Sequence, residues 1–412
     1  MLDNNKSILE NRRQFLHFLT STSVFAGSGV IPFLSEKLLA ADALPVEMIK
    51  AAEEALNVFD FEPVAKSRLF PAHYGYTVSG TDSDETLLAN RDGFNRFRIR
   101  ARRMVDIRNP DTSTSIFGVP WDNPIALAPV GGQGKYHSEG EVASARGARA
   151  GGHTQILSTQ TSQTVEDVAA ARGAPVWFQL YPSNHWHIAE GLTKRAEQAG
   201  CPVVAVTVDR AAPRNMETFQ RYARADTTNC SQCHIPNATP EERLKDRAMW
   251  TDIDLTGVES TQASGLTWDF VERLKTSTSM QVVLKGIVTA EDARLCLQHG
   301  VDGIIVSNHG GRSEASGRST IESLPEIVAS VGGKIPVLID GGFRRGSDIF
   351  KALALGADAV CVGRPYVFGL GAFGQEGVEK VLSILRAEFR RVMQEAGVVS
   401  VGQINADYIE KI

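Results

Sequence analysis

The chain has 412 residues, 42% of them hydrophobic, and a formal net charge of −5 at pH 7. That length and apolar content suit one large domain or two modest ones with a sizeable core. The mild acidity excludes a nucleic-acid-binding surface, and a small anionic substrate has to be held by local cations rather than by a global field.

Residues 11–17 read Asn-Arg-Arg-Gln-Phe-Leu-His, an uncharged apolar stretch runs from Phe18 to Leu34, and Ala41-Asp42-Ala43 follows. A charged start, an apolar middle and a small-residue cleavage site make up a targeting signal. The pair Arg12-Arg13 ahead of Phe15-Leu16 resembles the twin-arginine address used to export folded proteins. The competing reading is a transmembrane anchor, but a span needs about 20 apolar residues, and Gly27, Gly29 and Pro32 interrupt this stretch. Residues 1–43 are therefore expected to be a removed signal, leaving a periplasmic protein with no membrane span.

Residues 44–123 are expected to form a helical extension. Residues 45–57 and 85–95 show amphipathic helical patterns, and Ala72 to Gly80 between them is a tight, glycine-marked stretch. Residues 96–123, with Pro110, Gly118 and Pro120, look irregular. From residue 124 short apolar runs alternate with amphipathic segments. The runs are Pro124–Val130, Thr154–Ser158, Val176–Tyr181, Val203–Asp209, Val282–Lys285, Gly303–Ser307, Val337–Asp340 and Ala359–Val362. Fully apolar strands followed by helices argue a parallel sheet covered by helices, and eight is the number that closes a barrel. An α/β fold of the (β/α)8 barrel type is expected over residues 124–412. The alternative, an open doubly wound sheet, wants its phosphate-binding glycines after the first strand. That place holds Ala128-Pro129-Val130-Gly131-Gly132-Gln133, which lacks the fingerprint. The long, charged connection after the fourth run makes residues 210–265 an expected mobile insertion at the barrel mouth.

Barrel enzymes keep their chemistry at the C-terminal ends of the strands. The polar residues there are Gln179 and Tyr181, Thr207 and Asp209, Lys285, Ser307 to Arg312, Asp340-Gly341-Gly342 and Gly363-Arg364. His309 has the chemistry of a general base near neutral pH, and Arg312 that of a planar carboxylate clamp. The alternatives are a loop histidine and a solvated arginine. Asp209 either orients the imidazole or simply caps a helix. Lys285 is costly to bury without an anion, and a barrel salt bridge competes with a ligand for that role. Gly341-Gly342 with Arg344, and Gly363-Arg364, offer N–H donors and cations to a phosphate; plain turns between strand and helix are the alternative. No metal site is indicated.

Leu284 to Ile287, Ser307 to Arg312, and Asp340 to Gly346 through Gly363-Arg364-Pro365 resemble, in order, the motifs of the FMN-dependent 2-hydroxy-acid oxidase and dehydrogenase family. Its members include glycolate oxidase, lactate oxidase, flavocytochrome b2 and mandelate dehydrogenase. The likeness runs from about Ala65 to the C-terminus. It implies FMN as cofactor, a small anionic 2-hydroxy acid as substrate, and a quinone, cytochrome or oxygen as electron acceptor. By position it gives Tyr76 and Tyr181 to the substrate, and backbone at Pro129, Val130 and Gly131 to the flavin. Ser158, Gln179 and Thr207 would meet the isoalloxazine, and Lys285 the reduced flavin. His309 would be the base, Asp209 its partner and Arg312 the carboxylate anchor. Asp340 would hold the ribityl chain, and Arg344, Gly363 and Arg364 the phosphate.

Departures from the family pattern fall around the substrate, where Arg312 is followed by Ser313-Glu314-Ala315 without the acidic residue usual three positions on, and beside the flavin. Gln160 stands where many members carry Trp. The second carboxylate-binding arginine falls at Met216, with Arg214 two residues away as a substitute. Gly131 stands where oxidases often carry Ala. Rival readings are an FMN barrel of the isopentenyl-diphosphate isomerase type and a non-catalytic FMN-binding protein. A homo-oligomer is expected. Cys201, Cys296 and Cys361 read as buried small residues. Cys230-Ser231-Gln232-Cys233-His234 has the spacing of a haem c attachment site, with a local disulfide or a metal-binding or free-thiol loop as the alternatives.

Overall fold

Eight short strands of the computed structural model pair in parallel around a closed ring. The model describes residues 48–228, 239–245, 247–258 and 263–412. The strands are β4 (Ile125–Leu127), β5 (Thr154–Ser158), β6 (Trp177–Leu180), β7 (Val203–Thr207), β8 (Gln281–Ile287), β9 (Gly303–Val306), β10 (Val337–Asp340) and β11 (Ala359–Val362). They follow one another around the ring, and β11 closes on β4 through Val360↔Ile125 to Val362↔Leu127. In seven of the eight every residue is buried, β8 being the exception with an exposed Gln281 and a partly exposed Gly286. Strands covered on both faces need apolar side chains on both, which is why they read as unbroken runs and not as alternation.

The helices between them start on side-chain caps. Thr164 accepts from the Asp167 N–H before Val165–Arg172, Thr289 from that of Asp292 before Ala290–Gln298, and Ser319 forms a capping box with Glu322 before Thr320–Val331. One end of the barrel is plugged. Strands β2 (Thr114–Ile116) and β3 (Val119–Trp121) form a hairpin that turns at Phe117-Gly118, both with positive φ. Its Ile116, Phe117 and Trp121 pack with the barrel interior, Trp121 standing 5.5 Å from Trp177 at the start of β6. A ligand therefore has only the opposite, C-terminal end to enter.

The extension covers that mouth with α1 (Phe61–Arg68), α2 (Pro71–Val78) and α3 (Glu85–Asp92). Three expectations for it change. Residues 52–60 carry two short 3-10 turns, Ala52–Glu54 and Val58–Asp60, because Asn57 and Asp60 form a capping box that starts a new element there. The glycine-marked stretch is the helix α2. Gly75 lies within it because a Cβ there would stand 2.3 Å from that of Tyr222, so the glycine admits α7 (Glu217–Ala225) rather than breaking the helix. Residues 96–123 hold, besides the hairpin, strand β1 (Phe97–Ile99), which pairs antiparallel with β12 (Ile409–Lys411).

Ile49–Ile412 make one compact unit; the unit before it lies outside the described residues except for Met48. The connection from β7 to β8 carries α7, α8 (Pro240–Lys245) and α9 (Trp268–Ser277). Cys230, Cys233 and His234 lie outside the described residues. Among the described residues, no helix is long and apolar enough to cross a membrane.

Candidate active site

A cavity of about 840 Å³, mouth included, opens at the C-terminal rim. It has the size of a small-molecule site. Tyr76, Pro129, Val130, Gly131, Tyr181, Lys285, His309, Arg312, Asp340, Gly341, Gly342, Arg344, Gly363 and Arg364 line it. Ser158, Gln179, Thr207, Asp209, Arg214 and Ser307 stand behind that lining.

His309 sits in the turn after β9 with φ +58°, a strained conformation for a non-glycine residue that the surrounding loop enforces. Its Nδ1 lies 2.8 Å from Asp209 Oδ1, and its Nε2 lies 3.2 Å from the Tyr181 hydroxyl. With the Asp209 carboxylate accepting from Nδ1–H, Nε2 keeps its lone pair toward the cavity. Burial pushes the imidazole down to about 3, Asp209 partly opposing and Lys285 adding to the fall. The histidine is thus held neutral, in its basic form. Burial works against the charge on Asp209, but His309 and Lys285 hold its carboxyl below the usual range.

Lys285 lies at the end of β8, its side chain 5% exposed, 2.8 Å from Ser307 Oγ and 3.2 Å from Asp340 Oδ2. Ser307 in turn donates to Asp340 Oδ1 at 2.7 Å. Burial opposes the ammonium charge, yet Asp340 and Asp209 more than offset it and raise its pKa. A partner for Lys285 thus exists within the barrel, and the cavity-facing cation is fixed in place before any ligand arrives.

Arg312 donates to the Tyr76 carbonyl at 2.6 Å and stacks 4.2 Å from the Tyr76 ring centroid. Met216, where the family's second arginine falls, lies 3.9 Å from Arg312 Nη2 through its sulfur. Arg214 Nη1 reaches the Arg312 carbonyl at 3.4 Å. Burial, with Arg312 and Arg210 nearby, holds the Arg214 guanidinium down to about 10. Two cations not singled out from the sequence complete this wall. Lys135 Nζ stands 4.3 Å over the Tyr76 ring, and Arg210 stands 6.0 Å from the Tyr181 ring. Arg210 follows the end of β7 closely, whereas Lys135 lies in a 3-10 turn, Gln133–Lys135, further along the loop after β4.

The phosphate expectation is modified at Arg364. Its guanidinium donates to the carbonyls of Thr77, Gly310 and Ser79 at 2.8, 2.9 and 3.0 Å, so it staples α2 to the His309 loop. Gly363 is the N-cap of α13 (Arg364–Ala396, two helices that meet at a kink at Phe373-Gly374), and a helix N-terminus of this kind suits an anion. Arg344 lines the same region and donates to its neighbour's carbonyl at 2.9 Å.

Whether an isoalloxazine suits this rim can be tested on buried polar atoms. Gln179 Oε1 and Nε2 and Thr207 Oγ1 are buried without a hydrogen-bond partner among the described residues. They lie at the ends of β6 and β7, Thr207 in register with Lys285. Orphaned buried donors and acceptors are costly, and a ring edge carrying N–H and C=O groups matches them. The glycine at 131 and the glutamine at 160 belong together: a Cβ on Gly131 would stand 2.7 Å from that of Gln160.

The chain matches the family described as FMN-dependent dehydrogenase over residues 65–411. It is 40% identical over 370 residues to glycolate oxidase of Spinacia oleracea, covering 86% of this chain and 96% of that protein. It is 38% identical over 362 residues to a peroxisomal (S)-2-hydroxy-acid oxidase of Oryza sativa subsp. japonica, covering 86% and 95%. Among solved structures, a soluble mutant of the membrane-associated (S)-mandelate dehydrogenase from Pseudomonas putida matches with a TM-score of 0.79 at 33% identity, covering 87% and 100%.

These relatives overturn the expectation of twin-arginine export to the periplasm. Two of them, from Oryza sativa subsp. japonica and Arabidopsis thaliana, are named as peroxisomal. Paired arginines before an apolar stretch are a short pattern that fixes no compartment, and residues 1–43 lie outside the described residues. The haem c expectation gains no support from a family described by FMN. With that family matched from Ala65 almost to the C-terminus, and relatives near 40% identity aligned over nearly their whole length, the chain belongs to the FMN-dependent 2-hydroxy-acid oxidase and dehydrogenase family and is an FMN-dependent oxidoreductase.

Proposed function

We propose that this enzyme oxidises a small L-2-hydroxy acid of lactate-like size to its 2-oxo acid, with oxygen, a quinone or a cytochrome as final acceptor. The observation that carries the reading is His309 held neutral between Asp209 at 2.8 Å and the Tyr181 hydroxyl at 3.2 Å, on the cavity that Arg312 also lines. Arg312 and Tyr76 bind the substrate carboxylate, with Arg214 in support. His309 Nε2 takes a proton from the substrate, and Asp209 stabilises the imidazolium that results. Tyr181 orients the substrate hydroxyl. FMN, when bound, supplies the two-electron acceptor. Pro129, Val130 and Gly131 offer it backbone, and Ser158, Gln179 and Thr207 hold its ring. Lys285 faces the negative charge that develops on reduction. Ser307 and Asp340 keep Lys285 in place, Asp340 with Gly341 and Gly342 serves the ribityl chain, and Arg344 with Gly363 and Arg364 at the start of α13 serves the phosphate.

An anaerobic panel of lactate, glycolate, mandelate and longer 2-hydroxy acids tests the reading through bleaching of the flavin absorbance. At least one acid is expected to bleach it. In His309→Ala the rate should fall by about 10²–10⁴-fold while the protein stays yellow. Near wild-type bleaching in that variant would refute His309 as the base.

A further inference from the structure

The proposed reaction brings three anionic groups to the rim, and each already has a cation. Arg312 takes the substrate carboxylate, Lys285 the reduced flavin, and Arg344 with the α13 N-terminus the phosphate. Arg210 is left over, and Arg214 has only its supporting place beside Arg312. Neither forms an ion pair with a carboxylate among the described residues; Arg214 reaches only the Arg312 carbonyl, at 3.4 Å. Asp209, the nearest acid in sequence, gives its Oδ1 to His309 at 2.8 Å; Arg210 helps to hold its carboxyl low but makes no ion pair with it. The Nε of Arg210 is buried without a partner. A side cavity of about 190 Å³ adjoins it, lined by Tyr181, Thr207, Arg210, Ala263 and Leu266 among others. Tyr181 also lines the main cavity, so the two spaces meet at that ring.

Like charges held together around buried tyrosines repel, and a bound anion relieves them. A monocarboxylate neutralises one guanidinium and leaves two. The wall that the family commonly fills with tryptophan is polar here. Gln160, packed behind Gly131, accepts from Arg247 at 2.5 Å.

Resting on the function proposed above, we infer that the preferred substrate is a 2-hydroxy acid with a second anionic group, carboxylate or phosphate, at its far end. Arg210, backed by Arg214, selects that group. The chemistry is unchanged: the substrate C–H and O–H bonds break and a C=O forms. One proton goes to His309 Nε2, and the electron pair with the remaining hydrogen goes to FMN, which is reduced.

The test compares kcat/KM for anaerobic flavin bleaching of the holoenzyme across chain-matched acids. Malate is set against 2-hydroxybutanoate, and 2-hydroxyglutarate against 2-hydroxypentanoate, each as both enantiomers; 3-phosphoglycerate is the phosphate arm. At least one dianionic substrate is expected to exceed its monoanionic counterpart by about tenfold or more. The arm that does so identifies the group. The preference should collapse in Arg210→Gln and return in Arg210→Lys. As a readout without turnover, succinate should raise the melting temperature of the holoenzyme more than butanoate does, and Arg210→Gln should erase the difference. Monoanionic acids performing as well as their dianionic partners would overturn the inference while leaving 2-hydroxy-acid oxidation standing. Bleaching by no acid at all would overturn both.

Discussion

Tyr76 shows how strongly single side chains are tuned at this rim. Arg312 lies 4.2 Å from its ring and Lys135 lies 4.3 Å away. Arg312 foremost, against the opposing effect of burial and with help from Lys135, Arg214 and Arg210, pulls the phenol down to about 6. A lowered pKa means that the hydroxyl is protonated below pH 6 and a phenolate above it. In FMN-free protein, phenolate absorbance should therefore rise between pH 5 and 7, and Tyr76→Phe should abolish the rise. The phenolate then competes with the substrate carboxylate for Arg312. KM should climb roughly tenfold per pH unit above that point and should lose this slope in Tyr76→Phe. A pH-independent KM in the parent enzyme would sink the argument.

At the level of elements, α3 locks the catalytic loop. Asn90 and Asn308 exchange side-chain hydrogen bonds at 2.8 and 2.9 Å, and Arg91 reaches the Gly342 carbonyl at 2.7 Å. In the same loop Gly311 has a packing role. Its φ is +78°, and a Cβ there would lie 2.4 Å from the backbone of Leu87 on α3. Gly311→Ala must push α3 away from the loop that carries His309. It should cost about 1–3 kcal/mol and lower kcat with FMN still bound. An unchanged melting temperature in that variant, measured by scanning fluorimetry, would show that α3 yields freely.

For the whole molecule, His153 and His309 shape the response to acid. Burial holds His153 at about 4 and His309 at about 3, both below the ordinary 6.5. Between those values the unfolded chain binds protons that the fold refuses, so stability falls as pH drops from 6.5 toward 4. Glu141 and Asp358, raised by burial, work in the opposite direction at the acid end. The melting temperature should fall as pH drops below 6.5, with a shallower slope in His153→Gln; an unaltered slope would remove His153 from this account. The barrel was legible because strands buried on both faces leave unbroken apolar runs such as Val203–Thr207, and the rim because strand ends point one way. Gly75 misled because its partner, Tyr222, lies far along the chain. Lys135 and Arg210 were missed because only folding brings them to the tyrosine rings, and the bonds that Arg364 makes to three carbonyls leave no trace in composition. The pairing of β1 with β12 bears on synthesis at the ribosome. Arg98 meets Glu410 across that ladder, so the strand that anchors the extension waits, already translated, for a partner more than three hundred positions later. The cover over the mouth is therefore completed only after the barrel beneath it has emerged.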